Sequence, residues 1–301
     1  MKIAVTGAFT YSGKYITRRL LARGEEVITL TNHPNRPDPF EGRVKKFPLD
    51  FSKPGELAAN LRGADVLINT YWVRFDKGNN TQPRAVENTR MLINAAADAG
   101  VKRIVHISIT NPSAESHLPY FWGKAANEKA VIDSGLSFGI LRPTVLFGKE
   151  DILINNIAWL LRRFPFFGIP GDGSYKLSPV YVDDVAALVE EAAYRKDSFV
   201  WDTVGPDEFT FKEIVELIGK TIGVHKPLIP FPPRLALLTA QFLSVFVRDV
   251  MLTPEEMDGL MASLLISREP PRCKTNLGEW LEANKNTVGM NYASELSRHF
   301  E

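Results

Sequence analysis

Along the first half of the chain, apolar residues follow two alternating spacings. The run Lys2-Ile3-Ala4-Val5-Thr6 is short and continuous, as in a strand; from Lys14 to Arg23 the apolar positions Ile16, Leu20 and Leu21 recur at helical intervals. Gly7 and Gly13 bracket the turn between them. Strand-like runs follow at 26–31, 44–48, 64–70, 103–109 and 137–143, with helical stretches at 83–99 and 120–134. Strands alternating with helices predict an α/β fold, a doubly wound parallel sheet with helices on both faces. Right-handed crossovers bring the loops that follow the strands to one edge of the sheet, where ligands of such folds bind.

Beyond Gly148 the alternation weakens. Pro165, Pro170, Pro179, Pro206, Pro227, Pro230, Pro232 and Pro233 punctuate shorter elements, so 1–150 reads as one domain and 151–301 as a smaller C-terminal lobe. The stretch SPVYVDDVAALVEEAA (178–193) still reads as a strand running into a capped helix, so the lobes are expected to interweave there. The most apolar segment, 233–252, is interrupted by Thr239, Gln241, Ser244, Arg248 and Asp249, which predicts no transmembrane segment.

Composition narrows the classes. With 301 residues, 45% hydrophobic and 24% charged, the chain can bury a large core. A formal net charge of +1 supplies no field for nucleic acid. The one cysteine, Cys273, excludes an intrachain disulfide framework and fits a reducing compartment. A strand starting at Lys2 leaves no room for a secretory signal, and the expectation is a cytoplasmic protein.

The turn TGAFTYSGKYI carries the first candidate chemistry. A glycine beside the strand permits a tight turn, a later one permits close helix-to-sheet packing, and amides at the helix start face phosphate oxygens. Gly7 and Gly13 fill those places, while Thr10 stands where a middle glycine is usual. Its hydroxyl, with those of Thr6, Tyr11 and Ser12, is available for phosphate. After the second strand, Thr31-Asn32-His33 lacks the acidic residue that holds ribose hydroxyls. Asn32, His33 and Arg36 suit a ribose 2′-phosphate instead, which favours NADP, with NAD as the alternative; a solvated loop in which only Asn32 touches ribose is the plainer reading. Asp50 and Phe51 follow the third strand, where a carboxylate accepts from the adenine amino group and an aromatic packs on its ring.

Tyr120 and Lys124 lie four apart in YFWGKAANEKAV and so share a helix face. An ammonium beside a phenol favours phenolate and brings a tyrosine pKa down from about 10, giving a usable acid and base. Ser108, at the end of the preceding strand, is the choice for polarising a substrate oxygen, with Thr110 and Ser113 as competitors.

Taken with LDF (49–51), GADVLINT, ENTRMLINAAADAGVKRIVHISI, LRPTVLFGKED and PVYVDDVA, these motifs resemble the short-chain dehydrogenase/reductase superfamily. The resemblance lies in its extended and atypical branches, the NAD-dependent epimerase/dehydratase family, nearest the group of the 39 kDa subunit of respiratory complex I. It covers roughly the first two thirds of the chain and implies a Rossmann-type NAD(P)-binding domain followed by a substrate lobe. It implies that Gly7, Thr10, Tyr11, Ser12 and Gly13 line the pyrophosphate, with Asn32 by the ribose and Asp50 by the adenine. Asn69, Thr70, Tyr71 and Asn88 take the family's positions beside the cofactor, and Pro143, Thr144 and Val145 lie against nicotinamide. Tyr120 and Lys124 become the catalytic pair, with Lys124 also holding the nicotinamide ribose and Ser108 as hydroxyl donor. The activity implied is oxidoreductase, or epimerase/dehydratase with the same triad; some relatives hold a dinucleotide in a structural or assembly role.

No metal is expected. Asp183-Asp184 matches the family's helix-capping VDDVA, Glu190-Glu191 reads as solvent-facing, and the five histidines lack ligand spacing. The helical segment within 233–252 is apolar nearly all round, which predicts a lobe core or a subunit interface. The alternative is a lid over an apolar small-molecule substrate, with Arg162, Arg163, Arg234 and Arg248 near lipid headgroups in a peripheral membrane contact.

Overall fold

The computed structural model describes residues 1–296; the final residues of the C-terminal lobe, 297–301, lie outside them. In chain order the elements are β1 (Lys2–Thr6), α1 (Tyr11–Ala22), β2 (Glu26–Thr31), β3 (Lys45–Pro48), α2 (Pro54–Leu61), β4 (Val66–Asn69), α3 (Gln82–Asp98), β5 (Arg103–Ile107), α4 (Pro119–Asp133) and β6 (Ser137–Pro143). There follow β7 (Leu146–Phe147), α5 (Leu153–Arg163), β8 (Phe167–Pro170), β9 (Lys176–Leu177) and β10 (Val180–Tyr181). The remainder are α6 (Val182–Tyr194), β11 (Phe199–Thr203), β12 (Phe209–Thr210), α7 (Phe211–Thr221), β13 (Leu228–Phe231), α8 (Pro233–Val247), α9 (Pro254–Met261) and α10 (Leu277–Asn284).

Two compact units emerge, 1–143 with 182–203, and 144–181 with the residues from 204 on. The chain therefore leaves the first unit at Pro143, seven residues before the expected boundary, and returns to it for α6 and β11. The seven parallel strands of the first unit run in the order β11-β6-β5-β4-β1-β2-β3. The order reverses direction beside β1, so the ends of β1 and β4 form the switch point at which such sheets open a crevice.

Its core under α2, α3 and α4 joins Ala4, Ile28, Leu67, Ile104 and Ile140 of the strands to Leu57, Leu92 and Val131 of the helices. On the other face α1 is fastened to α6. The Arg19 guanidinium donates to both carboxylate oxygens of Asp183 at 3.0 and 2.7 Å, and Glu190 pairs with Arg19 and Arg23 at 3.6 and 2.5 Å. Asp183 thus anchors α6 to α1, and Glu190 is turned to α1 rather than to solvent.

The second unit is held by a core of Phe147, Ile157, Leu161, Phe167, Phe211, Ile214 and Trp280. Its strands pair two by two, β7 with β10, β9 with β12 and β8 with β13. Arg162 and Arg163 donate to the carbonyls of Lys285, Val288, Gly289 and Met290, so they tie down chain rather than face headgroups. Helix α8 departs from the expected core. Ala236 is its one buried residue, while Leu235, Leu238, Phe242, Val245 and Phe246 stand 46 to 75% exposed. At 100° per residue these five fall within one stripe. Among the described residues no helix is long and apolar enough to cross a membrane.

Candidate active site

The turn after β1 is built around the Gly7 carbonyl. Gly7 has φ +67°, a conformation that disfavours a side chain, and its oxygen accepts from the Thr10 amide at 2.9 Å and the Thr10 hydroxyl at 2.7 Å. Gly13 passes over the same oxygen so closely that a Cβ there would lie 2.0 Å from it. Thr10 therefore closes the turn as the residue before α1, and its hydroxyl is spent on Gly7 rather than left for phosphate. Likewise Thr6 Oγ1 accepts from the Thr70 amide at 2.8 Å and lies 3.3 Å from Asn69 Oδ1. What the turn presents is the start of α1 at Tyr11, Ser12 and Gly13, with no acidic side chain in the first turn. These features fit a pyrophosphate.

The other expected cofactor residues divide. Asn32 is exposed and Arg36 half-buried in the loop after β2. Asp50 uses Oδ1 to accept from the Ser52 amide and hydroxyl at 2.9 and 2.7 Å, which holds its carboxyl below the usual range. Phe51 packs on Tyr71 with ring centroids 5.0 Å apart, and the Tyr71 hydroxyl accepts from Asn88 at 2.9 Å. Asn69 is wholly buried and turned to His106, so its side chain braces the sheet. Thr70 Oγ1 donates to the Thr6 carbonyl at 2.5 Å, linking β4 to β1. Pro143 ends β6 in the first unit. Thr144 and Val145 open the second, where the Thr144 hydroxyl donates to the Ser178 carbonyl and Val145 packs on the core.

Tyr120 and Lys124 occupy the first turns of α4. Lys124 is 3% exposed; its Nζ donates to the Ile107 carbonyl at 2.9 Å and lies 5.0 Å from the Trp72 ring centroid and 5.9 Å from that of Tyr120. Burial pulls the lysine pKa down to about 7, and the Glu128 carboxylate one turn on opposes that shift. Glu128 is itself clamped by Arg142 through two bonds at 2.8 and 2.5 Å. Ser108 is buried, and its Oγ has no hydrogen-bond partner among the described residues. Its competitor Ser113 is exposed and accepts from the Glu115 amide at 3.2 Å.

Two neighbours escaped the sequence reading. Trp72, just past β4, meets Tyr120 edge-on at 5.7 Å and reaches α4 because Gly123 lacks a side chain; a Cβ there would lie 2.4 Å from the indole. A glycine inside a helix was the available signal, since it marks close approach by something large. We expect Gly123→Ala to displace the indole and cost roughly 1–3 kcal/mol in denaturant unfolding despite better helix propensity; an unchanged midpoint and tryptophan emission would count against this packing. His106 is the second, on the same face of β5 as Ser108 by strand alternation.

A family described as NAD(P)H-binding matches residues 7–157. The mitochondrial NADH dehydrogenase (ubiquinone) 1 alpha subcomplex subunit 9 of Arabidopsis thaliana is 27% identical over 241 residues, 76% of this chain and 60% of that protein. The chain thus spans less than two thirds of that relative. Among solved structures, a nucleoside-diphosphate-sugar epimerase from Staphylococcus aureus superposes with a TM-score of 0.74 at 17% identity, covering 94% of this chain and 100% of that one. The triphenylmethane reductase of Citrobacter sp. gives 0.69 at 18%, covering 95% and 100%. At these identities the structures speak for a shared fold. The glycine turn at the switch point of the sheet and the span of the family match agree, and the chain belongs to the NAD(P)H-binding family.

Proposed function

We propose that this protein is an NAD(P)-dependent oxidoreductase of the atypical short-chain dehydrogenase/reductase class, acting on the carbonyl or alcohol carbon of an apolar small molecule. The observation that supports the reading is that Tyr120 and Lys124 share one helix face and that Lys124 bonds the carbonyl of Ile107, the residue before Ser108, in the same unit as the Gly7–Gly13 turn. The nicotinamide, when bound, supplies or accepts the hydride. Tyr120 donates its phenolic proton to the substrate oxygen in reduction and takes it back in oxidation. Lys124 holds the nicotinamide ribose and, when protonated, favours the phenolate. Ser108 orients the substrate oxygen by donating its hydroxyl proton, which leaves its lone pairs to accept elsewhere. With Thr31-Asn32-His33 carrying no carboxylate, NADP is the preferred cofactor and NAD the alternative.

An epimerase or dehydratase would use the same three side chains, and the fold shared with the Staphylococcus aureus epimerase favours that variant. The likeness to a respiratory-complex subunit favours another, a protein that holds NAD(P) for assembly and turns over nothing. Titration with NADPH and NADH, followed by turnover assays of wild type and Tyr120→Phe, separates these. The enzyme reading expects NADPH to bind more tightly, with Tyr120→Phe keeping cofactor affinity and losing roughly a hundredfold or more in rate. Absence of binding to both cofactors would sink it, and tighter NADH binding would sink the NADP preference.

A further inference from the structure

Beneath the tyrosine–lysine pair lie three side chains with polar atoms that are closed off from solvent and, among the described residues, have no hydrogen-bond partner: His106 Nε2, Ser108 Oγ and both amide atoms of Asn127. Their residues are 0, 2 and 0% exposed. All three belong to one layer. Alternation along β5 puts His106 and Ser108 on the face of Ile104, which shares a core with Val131 of α4. Early in that helix Lys124 reaches the carbonyl of Ile107, and later Val131 joins the core around Ile104, so α4 runs against the direction of β5. Asn127, one turn past Lys124, is therefore level with His106.

The donor and acceptor roles follow from bonds on the other side of the histidine. Asn69 Oδ1 accepts from the Tyr71 amide at 3.0 Å, which fixes the orientation of its amide and makes Nδ2 the donor to His106 Nδ1 at 3.1 Å. With Nδ1 accepting, the proton of the neutral ring sits on Nε2. Neutral it stays, since burial and the Lys124 charge push its pKa down to about 3. A buried N–H, a hydroxyl and an amide, all on one layer, form a polar site of the kind that an internal water fills with about three hydrogen bonds.

We propose that His106, Ser108 and Asn127 bind one internal water beneath Lys124, and that this water, through His106 and Asn69, ties Ser108 to Thr6 at the root of the glycine turn. This rests on the reading of Ser108 as the hydroxyl that orients the substrate oxygen for Tyr120 and Lys124; His106 and Asn127 are then positioning residues, apart from the chemistry. Leaving the three groups unpaired would cost more than immobilising one water.

A high-resolution crystal structure of the cofactor-free protein, with nitrogen-15 shifts of the His106 ring, tests the site itself without any appeal to turnover. Expected are one water within hydrogen-bond reach of His106 Nε2, Ser108 Oγ and the Asn127 amide, and the Nε2–H tautomer. A direct Asn127–His106 bond with no water, or an Nδ1–H ring, overturns the proposal. The positioning role is read from cofactor affinity: His106→Phe is expected to lose about tenfold and His106→Gln, which restores a donor near the Nε2 position, to recover most of it at a similar unfolding temperature. Equal loss in both variants with the water in place would reduce the site to a packing feature and overturn the positioning role. Should wild type bind no cofactor, the proposed function fails, and the positioning role falls with it, whatever the crystal shows of the water.

Discussion

Gly13→Ala is expected to abolish cofactor binding and to destabilise the first unit. The added Cβ would sit 2.0 Å from the Gly7 carbonyl oxygen and 3.0 Å from Thr10 Oγ1. Neither neighbour is the far end of a flexible chain. The oxygen belongs to a backbone already held at φ +67°, and moving it breaks both bonds that Thr10 makes to it at 2.9 and 2.7 Å. Relief therefore requires α1 to lift from β1, and the amides of Tyr11, Ser12 and Gly13 lose their aim. Overpacking of this kind costs roughly 1–3 kcal/mol, which thermal unfolding resolves. Gly55→Ala is the control: that residue also lies in a helix, nothing lies within 4 Å of its Cβ position, and the change should be neutral or stabilising. Nucleotide titration followed by cofactor fluorescence reads the binding. If Gly13→Ala bound NADPH or NADH as wild type does, the turn would not be the pyrophosphate cradle.

The same turn shows how far sequence reasoning reaches. Its two glycines were legible because turn geometry demands them, whereas the role of Thr10 depended on which acceptor lay nearest its hydroxyl, a fact of three-dimensional packing. The strand 137–143 is found at those bounds, since its ends are marked by a turn and a proline. Helix α1 starts at Tyr11 rather than Lys14 because its polar first turn carries no apolar period. In the second unit the two-residue strands β7, β9, β10 and β12 are too short to show alternation at all. Helix α8 was legible as a helix, yet its direction was not: with apolar residues on both sides, composition cannot say which side meets the core. The pair Tyr120 and Lys124 was visible from spacing. Trp72, His106 and Asn127 were not, because each matters only through neighbours distant in sequence.

Lys124 gives the second large effect, and pH reads it without knowledge of the substrate. Its pKa in the folded protein is about 7, lowered by burial, against about 10.4 for an unfolded lysine. Between those values the unfolded chain carries a proton that the folded chain does not, so this group makes stability rise with pH from about 7 to about 10 and adds no slope below 7. A buried amine with a depressed pKa thus costs stability at neutral and acidic pH. Lys124→Met keeps the length and discards the charge, so it should flatten that slope and gain on the order of 2 kcal/mol at pH 7, after the Ile107 carbonyl loses its donor. Cofactor binding should move the other way. An ammonium that holds ribose hydroxyls regains part of its lost pKa, so binding takes up a proton between pH 7 and 9 and affinity falls as pH rises through that window. Calorimetry in two buffers of different ionisation enthalpy measures the uptake directly. The variant should show weaker binding and no uptake, gaining stability where it loses function, as expected of a residue kept for its chemistry. Identical proton balance in wild type and Lys124→Met would instead make the lysine a packing residue and leave Tyr120 without its partner.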